Sequence, residues 1–117
     1  MTSLTRTEEE TMRLFWENGA MSVRELQGWY DDPKPHFRTL STAVRILEEK
    51  GFLAYEAVGD GVRYYPVVEE DRYRRGALSD VVDRWFGRSG IGAVAALVDD
   101  ERLSLEDLKG FIGDKED

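Results

Sequence analysis

Apolar and polar residues follow one another in this chain with a period that changes twice. It begins helical: Met12, Phe15 and Trp16 recur at i, i+3 and i+4, and Gly19 at i+7 acts as a stop. Ahead of them, Thr5-x-x-Glu8 and Thr7-x-x-Glu10 both fit a capping box, in which a hydroxyl and a carboxylate satisfy the free amides of a helix start reciprocally. A first helix is therefore predicted from Thr5 or Thr7. Ser22-Val23-Arg24-Glu25 repeats the signature and opens a short second helix carrying Val23, Leu26 and Trp29 on its inner side. Asp31-Asp32-Pro33-Lys34-Pro35 is a stiff turn, because each proline drives the residue before it out of helical geometry.

A third helix is predicted from about His36 to Lys50, with Leu40, Ala43, Val44 and Leu47 on its buried face and Gly51 as its cap. Arg38, Ser41, Thr42, Arg45 and Glu49 fall on the other side. Two extended runs follow, Phe52 to Val58 and Val62 to Val67, rich in aromatic and β-branched residues. Gly59-Asp60-Gly61 joins them, and such residues tolerate the positive φ that hairpin loops demand. Three helices and then a hairpin predict a winged helix-turn-helix head over residues 1–68.

From Glu69 the helical period returns. Tyr73, Ala77, Leu78, Val81, Val82 and Trp85 form a wide stripe ending at Phe86-Gly87, and Ile91, Val94, Ala95 and Val98 form a second. Ser104-x-x-Asp107 caps a last helix with Leu105, Leu108, Phe111 and Ile112. The fold class expected is mainly α with a small β-hairpin: the winged head, then a three-helix tail over 69–117. A tail of about 45 residues is near the size below which a chain rarely buries a stable core alone. Its stripes are too wide for a solvated appendage, so association with a second copy is expected. Tyr73, Leu78, Val81, Val82, Trp85, Val94, Val98, Leu108, Phe111 and Ile112 would supply the dimer seam. Folding of the tail back onto the head is the alternative.

Composition narrows the class. The chain has 117 residues, 41% hydrophobic and 34% charged, the profile of a soluble globular protein. No apolar run approaches the roughly 20 residues that span a bilayer, and the N-terminus lacks the basic-then-apolar layout of a signal peptide. A cytoplasmic protein with no membrane partner is expected. With no cysteine, disulfides, thiolate zinc sites and thiol-based copper sites are excluded.

The net charge of −8 looks unfavourable for contact with nucleic acid, so its distribution matters. Residues 1–68 hold eight Lys/Arg against eleven Asp/Glu, and residues 69–117 hold eight against thirteen. Within 34–65 the balance is five basic (Lys34, Arg38, Arg45, Lys50, Arg63) to four acidic (Glu48, Glu49, Glu56, Asp60). Acid is thus concentrated away from the middle of the head, and charges beyond about 8 Å are screened at physiological salt.

In a helix-turn-helix the second helix of the motif enters the major groove of double-stranded DNA. Here its outer face offers Arg38, Ser41, Thr42 and Arg45, with His36 at the start. Arginine pairs bidentately with guanine, and short hydroxyl side chains bond bases or phosphates while letting the helix approach closely. Lys34 at the helix entry and Arg63 beside the wing tip are candidates to hold phosphates. Taken alone, exposed Arg and Thr on a helix mark only a solvated face; their place after a turn and before a hairpin is what points to DNA. His36 can equally be a simple cap. Trp16, Trp29, Tyr55, Tyr64 and Tyr65 read as packing residues, and Asp99-Asp100-Glu101 as a solvated loop rather than a metal site. Nothing supports catalysis: the one histidine has no evident partner, and neither a phosphate-cradling glycine loop nor metal-ligand spacing occurs, so no enzyme, cofactor or metal is expected. A winged-helix module that binds proteins instead of DNA is the rival reading.

Several stretches together carry a resemblance. Leu4-Thr5 with Glu8 and Met12 is followed by Phe15-Trp16-Glu17-x-Gly19 and Ser22-Val23-x-Glu25-Leu26. Pro33-Lys34-Pro35 then leads into Thr39-Leu40-Ser41-Thr42-x-Val44-Arg45-Ile46-Leu47-Glu48-x-Lys50-Gly51-Phe52-Leu53, and Tyr64-Tyr65-Pro66 and Phe86-Gly87 continue the order. From Leu4 to Ile112 the chain resembles the penicillinase-repressor family of transcriptional regulators. The resemblance implies a homodimer whose winged heads bind an inverted-repeat operator and block a promoter, with base contacts from Thr39, Ser41, Thr42 and Arg45. By periodicity Thr39 borders the buried face. Three departures stand out: Ile46 and Tyr55 occupy positions often basic in relatives, and the pair aligned with a cleavable Asn-Phe bond is Ala96-Leu97. The last counts against a membrane-bound sensor protease as a further partner. Copper-responsive relatives use tail cysteines, which this chain lacks.

Overall fold

The computed structural model describes residues 3–116, with side chains described as far as Phe111. In chain order the elements are α1 (Arg6–Asn18), α2 (Val23–Gly28), α3 (Phe37–Glu49), β1 (Leu53–Val58), β2 (Gly61–Pro66), α4 (Glu70–Trp85), α5 (Gly90–Asp99) and α6 (Leu105–Glu116). The strands make one antiparallel pair. This is the mainly helical, winged helix-turn-helix order that the sequence predicts. One compact unit runs to Arg75 and a second begins at Gly76, so the division falls inside α4.

Of the two possible capping boxes, α1 uses the first. The Thr5 amide donates to Glu8 Oε1 at 2.8 Å and the Glu8 amide to Thr5 Oγ1 at 3.2 Å. Ser22 and Glu25 do the same for α2 at 3.1 Å each. The helices meet over Met12, Phe15, Leu26, Leu40, Val44 and Leu47, all buried, with Phe52 and Leu53 closing the core from below. Fully burying each such side chain contributes about 1.5–3 kcal/mol.

Glu8 is the one carboxylate taken into this core edge. Its Oε1 meets Lys50 Nζ at 2.7 Å, where the two side chains retain 11% and 26% of their exposure. Burial pushes its pKa up, but the hydrogen bond from Lys50, the Thr5 amide and the ammonium charge outweigh burial and hold it below 4.5. A lowered folded-state pKa stabilises the head above the unfolded value, and that contribution disappears as pH falls through the folded value. Glu8→Gln is expected to cost about 1–2 kcal/mol at pH 7. In urea titrations the gap from the parent should narrow as pH falls below 4.5 and through the folded-state value; a gap that keeps its full size into acid would mean the ion pair is not its source.

The end of α3 fixes the start of the wing. Gly51 takes φ 85°, its amide reaches Glu48 O at 3.0 Å and the Phe52 amide reaches Leu47 O at 2.9 Å. Only glycine enters this left-handed conformation without steric cost. The turn sends Phe52 straight back into the core beside Leu47. From there β1 and β2 pair in register, Leu53 with Pro66, Tyr55 with Tyr64 and Val58 with Gly61. Met21, between α1 and α2, adds an antiparallel bridge to Tyr64, with hydrogen bonds of 2.9 and 2.8 Å.

Two sequence expectations need correction. Trp29, predicted on the inner side of α2, is 57% exposed. The helix ends at Gly28 with Trp29 as its cap, so the residue turns off the buried face. Tyr73, expected in the dimer seam, belongs instead to the core of the first unit at 8% exposure. Its ring packs on Trp16 and Phe52 at centroid distances of 5.8 and 5.6 Å, and its hydroxyl donates to Glu9 Oε2 at 2.6 Å. Burial and the neighbouring Glu9 push its pKa up to about 12. Trp16 Nε1 also donates to Val68 O at 2.9 Å, tying the strand-to-helix connection to α1.

Candidate nucleic-acid interface

Because α3 buries Leu40, Val44 and Leu47, residues 38, 42 and 45 must turn outward. Arg38, Thr39, Thr42 and Arg45 are exposed, and Ser41 is half-buried at the edge. Thr39, which periodicity sets at the border of the buried face, is exposed there. His36 is the N-cap: its Nδ1 accepts from the Arg38 amide at 3.2 Å, and the ring is exposed. Gln27 Nε2 donates to Pro35 O at 2.9 Å, fixing the turn from α2 against the start of α3.

The basic side chains of the head sort into engaged and free. Lys50 is held by Glu8. Lys34 Nζ donates to the carbonyls of Tyr30 at 2.5 Å and Gly28 at 3.4 Å, bracing the end of α2. Arg63 Nη2 donates to Ala20 O at 2.9 Å and lies 3.5 Å from Glu25 Oε1. Arg63 thus straps β2 to the turn between α1 and α2, and its Nε is buried without an acceptor among the described residues. By contrast Arg6 and Arg13 on α1, Arg24 on α2 and Arg38 and Arg45 on α3 form no ion pair among the described residues. Unpaired guanidinium groups beside exposed hydroxyls are what a polyanion requires.

Arg24 escaped the sequence reading. It sits on α2 with its guanidinium carbon 5.8 Å from the centroid of the Phe37 ring, the first residue of α3. The signal in sequence was slight, a lone arginine inside a capping box, and its partner lies thirteen positions away.

Charge on α3 is polarised along its length. Arg38 and Arg45 occupy the first two and a half turns, whereas Glu48 and Glu49 close the helix and share a hollow with Arg45, Tyr55 and Tyr64. The wing tip carries Asp60 between exposed Val58 and Val62, so it presents no cation. Tyr55, read from sequence as a packing residue, is 57% exposed, and its ring packs on Tyr64 across the hairpin with centroids 5.9 Å apart.

In the second unit no residue from Gly76 to Phe111 is buried. Leu78, Val81, Trp85 and Phe111 are exposed; Val82, Val94, Val98 and Leu108 are half-buried. Ile112 lies outside the residues whose side chains are described. Leu78, Val81, Val82, Phe86, Ala93 and Leu97 line an open hollow of about 730 Å³. Asp100 is paired with Arg102 at 3.0 Å, and no helix among the described residues is long and apolar enough to cross a membrane.

Comparison with known proteins bears directly on this arrangement. The family model described as penicillinase repressor matches residues 4–112, nearly the whole chain. An uncharacterised 16.5 kDa protein from Latilactobacillus sakei is 29% identical over 112 residues, which cover 90% of this chain and 73% of that protein.

Proposed function

The chain belongs to the penicillinase-repressor family of DNA-binding transcriptional repressors, and from that premise we propose that it binds an inverted-repeat operator as a homodimer. The observation that carries this reading is the outward face of α3, where Arg38, Thr39, Thr42 and Arg45 are exposed and both arginines lack ion pairs among the described residues. The N-terminal half of α3 would enter the major groove. There Arg45 or Arg38 would meet guanine edges, and Ser41, Thr39 and Thr42 bases or phosphates. Lys34 and Arg63 would serve mainly by holding the turn and the wing in place, and His36 by starting the helix.

The division of labour would follow the two units. The head, including Tyr73, would carry DNA contact. The helices beyond Gly76 would pair with those of a second copy through Leu78, Val81, Val82, Trp85, Val94, Val98, Leu108 and Phe111. An apolar surface of this extent on so small a unit is the usual mark of a partner. Such a repressor works by occupancy, so no chemistry, cofactor or metal is required of it, and it acts where the DNA is, in the cytoplasm.

The direct test is selection from random duplexes at moderate salt. Recovery of a two-fold-symmetric sequence is expected. Recovery of no sequence would favour the protein-binding module in place of the repressor. On the selected operator, Arg45→Ala is expected to weaken binding by about 1–3 kcal/mol and to relax preference at one position of each half-site. Unchanged affinity in a gel-shift series would remove Arg45 from the reading face.

A further inference from the structure

Beside the outer face of α3 lies a second feature with the chemistry of a DNA contact. A hollow of about 390 Å³ opens between α2, α3 and the wing, lined chiefly by Arg24, Phe37, Ser41, Arg45, Val62 and Tyr64. We propose that this hollow seats one sugar-phosphate unit of a DNA strand, gripped by Arg24, with Phe37 as the positioning residue that aims the guanidinium. The proposal rests on the DNA-binding reading given above and adds a contact to it.

Three observations carry it. First, no carboxylate of the described residues lines the hollow, although Asp and Glu outnumber Lys and Arg in the chain as a whole. The neighbouring hollow further along α3 holds Glu48 and Glu49, so two adjacent depressions differ in sign. Second, two guanidinium groups without ion pairs among the described residues, Arg24 and Arg45, line the same space together with Ser41. Such a set complements an anion, and the planar fork of arginine fits phosphate oxygens bidentately. Third, Phe37 is 42% exposed on the first turn of α3 and takes no part in the core. Its visible partner is the Arg24 guanidinium at 5.8 Å. Stacking restricts a long side chain that would otherwise sample many rotamers, so less freedom is lost when a ligand binds. The ring face and Val62 also give the hollow an apolar wall of the kind the carbon face of a deoxyribose prefers. Such a contact would set the angle of α3 in the groove without reading sequence.

The test uses the full chain, a selected operator duplex and an unrelated duplex, titrated between 50 and 200 mM salt. Arg24→Ala is expected to lower affinity for both duplexes by a similar factor, about tenfold, and to reduce the slope of log K against log salt by about one. Phe37→Leu, which alters an exposed ring, should lose about threefold alone and add nothing once Arg24 is alanine. If Arg24→Ala leaves affinity and slope unchanged while the parent still selects its operator, the seat is refuted and the repressor reading survives. A loss confined to one sequence, with the slope intact, would make Arg24 a base reader and refute the seat equally. Additive losses from the two substitutions would overturn the positioning role of Phe37. A parent that binds neither duplex would take this proposal down with the reading beneath it.

Discussion

Aspartate at both Leu78 and Trp85 is expected to leave the protein monomeric and to lower its affinity for the operator by about a hundredfold or more. These residues are seven apart on α4, hence on one face, and 61% and 71% exposed in the single chain. Carboxylates there would be hydrated in a monomer and should leave each chain folded. In a dimer that buries this face, each would sit unpaired in an apolar seam, at a cost of several kcal/mol per charge. Loss of the dimer separates the heads, and binding of the second half-site ceases to be intramolecular. Linkage of that kind is worth about 10²–10⁴ in affinity. Sedimentation gives the oligomeric state, and a gel shift gives the affinity. A doubly substituted protein that still sediments as a dimer would exclude this face as the seam. A monomer with full operator affinity would show that the heads act singly.

Phe15→Ala should have the largest effect on stability. The ring is wholly buried, in the C-terminal half of α1. Removing it costs about 3–5 kcal/mol through lost burial and the cavity left behind. Small domains hold only about 5–15 kcal/mol in all, so most of the head's stability would go. A urea midpoint far below that of the parent is expected, with DNA binding lost in parallel. A change under about 1 kcal/mol would mean that the core repacks around Met12 and Leu47, contrary to the burial described. The contrast with Phe37→Leu is instructive: the same residue type, half in solvent, should alter affinity and barely touch stability.

Local chemistry explains why much of this arrangement is legible in the sequence. The Thr5–Glu8, Ser22–Glu25 and Ser104–Asp107 boxes are made within three residues, and all three form. The limits of α3, predicted over 36–50, are set by the His36 cap and by Gly51, both local signals. What was hidden depends on residues brought together from far apart. Tyr73 fits a helical stripe whether its partner is a second chain or Trp16, and only the packing of α4's first turn decides. Arg63 looks free until Ala20 and Glu25 are folded against it, 43 and 38 positions away. Arg24 looks like a solvated residue until Phe37 arrives beneath it.

The turn at Gly51 has a mechanical consequence. It hands α3 to β1 with no intervening slack, and the Met21–Tyr64 bridge pins the other strand to the body of the head. Helix α3 and the wing are therefore both tied to one body. Under the proposed reading, curvature within each half-site would then come from the duplex rather than from the head, so flexible base steps should be favoured at positions no side chain touches.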